Sequence, residues 1–421
     1  MGREARDRRD RLPHLHPVER IELNKEHIGR RLIAAVGLLI LGAGLLTYAI
    51  VGLMTPETGW QTVQASANAG PTCAEDFTFL YEINSAAETR EVTNFYTSAC
   101  QKGYRLFHSD QEFENVVNVY TINRHPNEEL EVDPGLYAAF SAIVESGRRE
   151  LYMGPVYERY DDLFFLQDDS LAAEFDPRLS ENVREEYAGV LVYANDPQAV
   201  NLELLGDNRI RLYVSEEYLA WADREEIDRF IDFAWMRNAF LADYLAAVLT
   251  ERGFTRGTLN SYDGFVRNLD GSGTEYSYSI YHRQDGIVFP AASLRYYGPM
   301  SFVRMRDYPI SEQDSQHYYQ TTDGEVRTSY LDTADALCRS AVDTLACYSR
   351  EKGCAQILLE MIPVYIADEF QEEAVSALAK EGVASIYCQG SVVRYTEPGA
   401  LLGTFFEGDG VQNTAKQVEM P

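Results

Sequence analysis

The 421-residue sequence is poor in basic residues, with 37 Lys and Arg against 66 Asp and Glu, and its net charge is −29. A surface this acidic repels phosphate backbones, so we expect no nucleic-acid partner. The sequence also lacks the phosphate loop GxxxxGK[ST], the dinucleotide motif GxGxxG, the zinc motif HExxH and the nucleophile motif GxSxG. Its seven histidines are too few and too scattered to indicate a metal cluster. No enzyme class follows from a short motif alone.

The basic residues that are present crowd the N-terminus, directly before an apolar run at 32–54 that contains no charged residue. This run meets the roughly 20 residues that a helix needs to cross the hydrocarbon of a bilayer. The excess of Lys and Arg on its N-terminal side predicts a cytoplasmic N-terminus and an extracytoplasmic main domain. The alternatives are a buried core helix and a signal peptide cleaved near Ala65-Ser66-Ala67.

The predicted organisation has five parts: a cytoplasmic basic segment at 1–31, a transmembrane helix at 32–54, a linker at 55–76, a folded domain at 77–405 and a polar tail at 406–421. All six cysteines follow the apolar run, and none forms a CxxC pair. They are Cys73, Cys100, Cys338, Cys347, Cys354 and Cys388. An even number permits disulfides outside the cell but establishes no pairing, and buried free thiols remain equally compatible.

The pattern of apolar residues in the main domain predicts a mixture of helices and strands. Helices are expected at 91–104, 134–146, 227–252, 334–347 and 369–380. Strands are expected at 190–193, 210–214, 258–259, 265–266 and 275–282. Turn residues predict one hairpin around Gly206-Asp207-Asn208 and another around Gln389-Gly390. Because helices and strands do not alternate strictly, the predicted fold class is α+β.

The order in which five segments follow one another along this domain is informative. Residues 120–134 run from YTIN to VDP, and residues 153–156 read MGPV. Residues 232–243 read DFAWMRNAFLAD, and residues 260–264 read NSYDG. Residues 317–324 read HYYQTTDG.

In this order the segments resemble those of the FAD:protein FMN transferases, the ApbE-like family, over about residues 77–396. The family's corresponding motifs are D-x-G-G-I-A-K-G-Y-x-x-D, N-x-G-G-[ND] and H-I-I-D-P-x-T-G. The resemblance implies an α+β domain of the T-fold type on the outer side of a membrane. It also implies a magnesium-dependent enzyme that moves FMN from FAD onto a Ser or Thr of a target protein.

The resemblance assigns candidate roles to seven residues. They are His317 and Gln320 as catalytic residues, Asp232, Asn238 and Asn260 as cofactor-binding residues, and Asp335 and Asp343 as metal ligands. Each has a plainer explanation. Asp232 can simply begin a helix, His317 can be an ordinary surface or core histidine, and Asp335 can be a solvated helix residue.

The sequence departs from the family where the chemistry depends on it. Ala234 and Trp235 replace two glycines, and a large ring there would lie where backbone N–H groups approach a diphosphate. Asn238 replaces the lysine and supplies no charge for phosphate. Gln320 replaces an acid, and Arg339 stands near the expected metal, where a cation is unfavourable.

These departures favour a membrane-anchored extracytoplasmic protein that keeps the scaffold, has lost the reaction and binds a partner such as an envelope protein. FAD and magnesium are then expected only if the family activity is retained. The first alternative is an active, magnesium-dependent transferase with an atypical pocket. The second is an unrelated cell-surface binding module.

Overall fold

The computed structural model describes residues 58–284, 286–311, 313–314, 317–397, 401–402, 407–408, 411–412 and 414–418. The predicted basic segment at 1–31 and the predicted transmembrane helix at 32–54 lie outside these residues. Within the described part of the chain, no helix has the length and apolar character needed to span a bilayer.

A nine-stranded sheet forms the centre of the fold, with strand order β1-β2-β6-β7-β10-β13-β14-β15-β19. Neighbouring strands run antiparallel, except β15 and β19, which run parallel. The bounds are β1 Gly59–Val63, β2 Phe77–Ile83, β6 Gly257–Ser261, β7 Phe265–Asn268, β10 Met300–Arg306, β13 Thr344–Ser349, β14 Ala384–Gln389, β15 Val392–Tyr395 and β19 Thr414–Gln417.

Helices cover one face of this sheet. The α-helices are α1 Ala86–Leu106, α2 Val119–Arg124, α3 Pro134–Ser146, α4 Gly154–Tyr160, α5 Glu181–Ala194, α6 Glu216–Arg224, α7 Arg237–Glu251, α8 Cys354–Tyr365 and α9 Glu372–Lys380. Short 3-10 helices lie at Cys73–Asp76, Glu150–Met153, Asp161–Phe165, Asp169–Glu174 and Ala234–Met236. The central helix α7 packs against α1, α8 and β7, and its residues Leu241 and Leu245 are fully buried in the main core.

A second, smaller core lies on the opposite face of the sheet. Successive side chains of a strand point to opposite faces, so Val303 and Cys347 belong to the main core while Phe302 and Ala346 belong to the second. The long hairpin of β8 Glu275–Gln284 and β9 Ile287–Tyr297, joined by β16 Leu401–Leu402, covers this face. The ring of Tyr278 stacks on Phe302 with centroids 4.3 Å apart.

The remaining strands form small sheets outside the central one. They are β3 Glu129–Glu131, β4 Val200–Gly206 and β5 Arg209–Val214 in the order β3-β5-β4, the pair β11 Tyr318–Gln320 and β12 Val326–Thr328, and the pair β17 Glu407–Gly408 and β18 Val411–Gln412. The predicted hairpins around residues 206–208 and 389–390 are present as β4–β5 and β14–β15.

Three sequence predictions differ from the structure. The predicted strand at 190–193 lies inside helix α5, because its short apolar run belongs to a helix that Ser180 caps. The predicted helix at 227–252 begins only at Arg237, because the side-chain oxygen of Asn123 accepts the N–H groups of Phe230 and Ile231 and holds them in a loop.

The predicted helix at 334–347 is wrong. Residues 344–349 form β13, and the preceding residues form turns. The carboxylates of Asp332 and Asp335 accept the backbone N–H groups of Ala334 and Leu337, which competes with helix formation. The domain also extends beyond the predicted 77–405, since β1 lies in the stretch read as a linker and β19 in the stretch read as a tail.

Candidate functional site

The start of helix α7 carries the first group of candidate residues. Asp232 is buried, and its Oδ1 accepts the N–H of Ala234 at 2.8 Å while its Oδ2 lies 3.0 Å from Nη1 of Arg229. Ala234 has a φ of 43°, in the left-handed region that favours glycine. Both carboxylate oxygens are therefore engaged within the protein, and Asp232 shapes the turn that leads into the helix.

Trp235 fills the space beside this turn. Its indole Nε1 donates to the hydroxyl of Tyr157 at 3.4 Å, and its ring meets the ring of Tyr330 edge-on at 5.1 Å. Only 9% of the residue is exposed. Asp263, Arg304 and other residues complete the lining. The cavity between these side chains has a volume of about 10 Å³. A cavity of this size is just large enough to hold one water molecule.

Asn238 turns towards an acid and not towards solvent. Its Nδ2 donates to Oδ2 of Asp263 at 2.9 Å. Oδ1 of Asn238 and Oδ1 of Asp263 are buried and accept no hydrogen bond within the described part of the chain. Asp263 lines the small cavity, and its unsatisfied carboxylate oxygen disfavours the oxygen atoms of a phosphate there.

Arg237 is a residue that the sequence analysis missed. It is the first residue of α7, its side chain is exposed, and it stands one position before Asn238. Burial raises the pKa of Asp76, and the nearby Arg237 opposes that rise. Burial raises the pKa of Asp161 to about 7, with Asp232 adding to the rise and Arg229 and Arg237 opposing it. In the sequence, the arginine directly before Asn238 could have indicated a positive charge at the start of this helix.

The two catalytic candidates occupy different environments. His317 is half-buried and lines the cavity beside Trp235 and Asp263. Gln320 lies at the end of β11, opposite Val326, and is exposed. Asn260, the third cofactor candidate, lies in β6 between Thr78 and Val266, outside the cavity lining. The structure thus places His317 and Asp263 at one cavity, together with Trp235, and leaves Gln320 and Asn260 outside it.

The first metal candidate, Asp335, is held by an arginine. Its Oδ1 and Oδ2 lie 2.6 and 2.7 Å from Nη1 and Nη2 of Arg339, a bidentate ion pair. The Arg339 guanidinium lowers the pKa of Asp335. The same guanidinium contacts Asp368 at 2.6 Å and Asp332 at 3.2 Å. The guanidinium of Arg339 therefore engages both carboxylate oxygens of Asp335.

The second metal candidate, Asp343, lies just before β13. Its Oδ1 is 3.9 Å from Nη2 of Arg283, and the same nitrogen lies 2.7 Å from Oδ2 of Asp307. Burial raises the pKa of Asp307 to about 6. In the described residues no group of three or more His, Cys, Asp or Glu side chains could hold a metal ion. The residues present fit neither a magnesium ion at Asp335 nor a dinucleotide at the start of α7.

Comparison with known proteins identifies the fold. No family model and no curated protein sequence matches the chain. The crystal structure of the ApbE protein from Thermotoga maritima is similar, with a TM-score of 0.53 and 15% identity over 79% of this chain and 94% of that one. The flavin transferase ApbE from Vibrio cholerae gives a TM-score of 0.48 and 12% identity over 79% and 93%. The first likeness shows an ApbE-like α+β fold, as predicted.

Proposed function

We propose that this chain is a membrane-anchored, extracytoplasmic ApbE-like protein that has lost FMN transfer and acts as a binding or scaffold protein. The similar structure from Thermotoga maritima is named an ApbE protein, and the ApbE protein from Vibrio cholerae is named a flavin transferase, so a function related to flavin transfer is the starting point of the proposal. At this level of identity the likeness establishes the fold alone, so the proposed loss of activity is argued from the residues of the cavity.

The occupied space beside Trp235 is the observation that carries the proposal. Sites for ligands of the size of a drug molecule enclose about 300–1,000 Å³, and FAD is larger than most such ligands. The cavity beside His317 offers about 10 Å³. Trp235 is held on two sides, by the hydroxyl of Tyr157 and by the ring of Tyr330. Accommodating a flavin nucleotide would require the indole to leave a packed, hydrogen-bonded position.

The metal candidates support the same conclusion. Magnesium takes oxygen ligands in near-octahedral geometry, including one or two carboxylates. Both oxygens of Asp335 bind Arg339 instead. Replacing this ion pair with a metal would leave the guanidinium beside a divalent cation, which is unfavourable.

The proposed location rests on the sequence. The run at 32–54 is long enough to cross a bilayer, and the basic residues precede it. An envelope protein is the proposed partner, because a domain held at a membrane surface by one helix meets such proteins first. Protease treatment of intact cells tests the topology. We expect the main domain to be digested, and a domain protected until the membrane is opened would contradict this location.

Incubation of the purified protein with FAD, magnesium and a Ser- or Thr-containing acceptor protein tests the loss of activity. We expect no covalent flavin on the acceptor and no release of AMP. An active flavin transferase assayed beside it shows that the acceptor and conditions are competent. Covalent flavin on the acceptor together with AMP release would refute the proposal.

An active transferase with an atypical pocket is the second candidate function. Arg237 favours it, because an exposed cation at the first residue of α7 could meet a phosphate that Asn238 cannot. The same assay separates the two candidates. If flavin is transferred, replacing Arg237 with Gln should raise the KM for FAD, while replacing the exposed Arg224 at the end of α6 should not.

A further inference from the structure

The chain enters the central sheet at one end, and the candidate cavity lies at the other. Gly59, the first residue of β1, pairs with Ile83, the last residue of β2. The antiparallel strands that follow bring Asn268 and Met300, which pair with each other, to the same end. We call this the entry end of the sheet. Met305 lines the cavity and follows Met300 along β10 by a distance of about 17 Å, at about 3.4 Å per residue.

Aromatic side chains cluster at the entry end. The ring of Trp60 meets the ring of Tyr276 edge-on with centroids 5.9 Å apart, and Tyr276 stacks on Tyr296 at 5.7 Å. Trp60 and Tyr297 are 40% and 46% exposed. The hydroxyl of Tyr297 donates to the carboxylate of Glu275. The cluster thus combines apolar rings with polar edges, the character for which Trp and Tyr are enriched at the boundary between a bilayer and water.

Two exposed arginines border this cluster. Nη1 of Arg350 donates to the carbonyl of Tyr297 at 2.7 Å, and Arg295 lies on the same face of β9 as Tyr297. The acid Glu82 is at the same end, with Nε of Arg256 at 4.0 Å from its carboxylate. Lipid phosphates attract exposed arginines, whereas anionic headgroups repel the acidic remainder of the protein. The entry end is therefore the part of the domain that suits a bilayer surface.

The sequence brings a bilayer to this same end. Only the four residues 55–58 separate Met54, the last residue of the apolar run at 32–54, from Gly59. An extended chain spans at most about 3.6 Å per residue, so the two positions can be no more than about 18 Å apart. If the apolar run crosses the bilayer, β1 begins in or just above the headgroup layer.

We propose that the entry end rests on the headgroup layer of the bilayer through Trp60, Tyr297, Arg295 and Arg350, and that the candidate cavity faces away from the membrane. This inference rests on the anchoring at 32–54 that the proposed function includes. It adds an orientation: the end of the sheet that carries the cavity is the end presented to an envelope partner, and the entry end is covered by lipid.

Fluorophore labelling of the full-length protein in vesicles of phosphatidylethanolamine and phosphatidylglycerol tests the orientation. One label is attached at Pro299→Cys, in the turn before β10 at the entry end, and another at Gln389→Cys, at the opposite end of the sheet. Both positions are exposed, whereas the six natural cysteines are buried. Lipids with a nitroxide headgroup should quench the first label and leave the second unquenched. Equal quenching of the two labels, or stronger quenching at Gln389, would overturn the proposal.

The tryptophans give a second readout. Trp221 is half-buried in α6, and Trp235 is buried beside the cavity. Lipids brominated on their acyl chains should quench the tryptophan fluorescence of the unsubstituted protein and of Trp221→Phe. The quenching should be lost in Trp60→Phe. Quenching that persists in Trp60→Phe would show that another face of the domain meets the lipid.

Substitution of the arginines tests whether the surface itself holds the orientation. Arg295→Gln combined with Arg350→Gln should reduce the difference in quenching between the two labels. The matched control combines Arg184→Gln in α5 with Arg224→Gln in α6, two other exposed arginines, and should leave the difference unchanged. An equal effect of the two double variants would contradict a role of Arg295 and Arg350.

The protease experiment on intact cells separates this inference from the proposed function. A main domain that is digested, together with equal quenching of the two labels, would leave the anchor in place and refute the orientation alone. A main domain that stays protected until the membrane is opened would refute the proposed location and the orientation with it.

Discussion

The ring of Trp235 meets the ring of Tyr330 edge-on, with centroids 5.1 Å apart. Tyr330 in turn meets Tyr365 of helix α8 edge-on at 5.6 Å. The indole is thus one member of an aromatic chain that links the start of α7 to α8. An edge-to-face pair of aromatic rings stabilises a protein by about 0.5–1.5 kcal/mol in addition to the effect of burying their surface. Trp235 stabilises the domain as well as closing the cavity.

Replacing Trp235 with Ala should lower the free energy of unfolding by about 3–5 kcal/mol, the range for loss of a large buried aromatic side chain. Chemical denaturation measures the change. The control is Trp60→Ala in β1, because Trp60 is 40% exposed and should cost less than about 1.5 kcal/mol. Equal effects of the two substitutions would show that Trp235 is not packed as described.

Asp161 should make stability depend on pH. Burial and Asp232 raise its pKa in the folded state to about 7, while an unfolded Asp titrates near 4. Between about pH 4 and pH 7, Asp161 is protonated in the folded protein and ionised in the unfolded chain. The contribution of Asp161 to stability is therefore present below pH 4 and is lost as the pH rises to 7, by at most about 1.4 kcal/mol per pH unit.

The comparison of Asp161→Asn with the unsubstituted protein isolates this effect. Asn is neutral at every pH, so the variant should gain stability relative to the unsubstituted protein as the pH rises from 5 to 8. Asp223→Asn is the control, because Asp223 is exposed in α6 and is not among the groups that shift the pKa of Asp161, so its effect on stability should change less with pH. Denaturation midpoints across this pH range measure both. A constant difference for Asp161→Asn would contradict the prediction.

Elements with strong local signals were predictable from the sequence. The helix at 134–146 has the predicted bounds, because Asp133 caps it, Pro134 begins it and Gly147 ends it with a φ of 68°. The hairpin between β4 and β5 follows from a turn in which Asp207 and Asn208 both adopt positive φ. In each case the residues that determine the element lie inside it or within a few positions of its ends in the sequence.

Elements that depend on distant contacts were not predictable. The loop before α7 is held by Asn123, more than 100 residues earlier in the chain. The helix Cys354–Tyr365 contains Pro363, and it was not predicted. At the candidate site the sequence drew attention to Trp235, and the structure buries this residue beside the small cavity. The sequence could not show that Asn238 turns towards Asp263 or that Arg339 binds Asp335 with both donors, because those contacts depend on how the loops meet.

The ion pair of Arg306 and Asp314 should be essential for stability. Both side chains are fully buried, and Asp314 also accepts the backbone N–H groups of Ile310 and Ser311. Removing one partner leaves a buried, uncompensated charge, so Arg306→Ala should cost about 3–5 kcal/mol by chemical denaturation.

Replacing both charged residues, as Arg306→Met with Asp314→Leu, should cost less than the sum of the single changes. Arg252→Ala is the control, since its pair with Glu91 at 3.2 Å is exposed on both sides and should contribute below about 1 kcal/mol. Additive effects at Arg306 and Asp314 would indicate that the two side chains do not interact.

Asp243 should be a structural residue of this fold. Its Oδ1 accepts the N–H of Cys354 and its Oδ2 the N–H of Ala355, both at 2.8 Å, so it satisfies the first turn of α8 from a different helix. Gly353 permits this approach, because a Cβ there would lie 2.4 Å from Oδ2 of Asp243.

Replacing Asp243 with Ala leaves two buried N–H groups without acceptors and should lower the free energy of unfolding by about 2–4 kcal/mol. Asp243→Asn keeps one acceptor oxygen and should cost less. Glu251→Ala, at an exposed position of the same helix, is the control and should change stability by less than about 0.5 kcal/mol. Because Asp243 acts by capping α8, hydrogen exchange should show the largest loss of protection at Cys354 and Ala355. Unchanged protection there would show that the capping contact does not form.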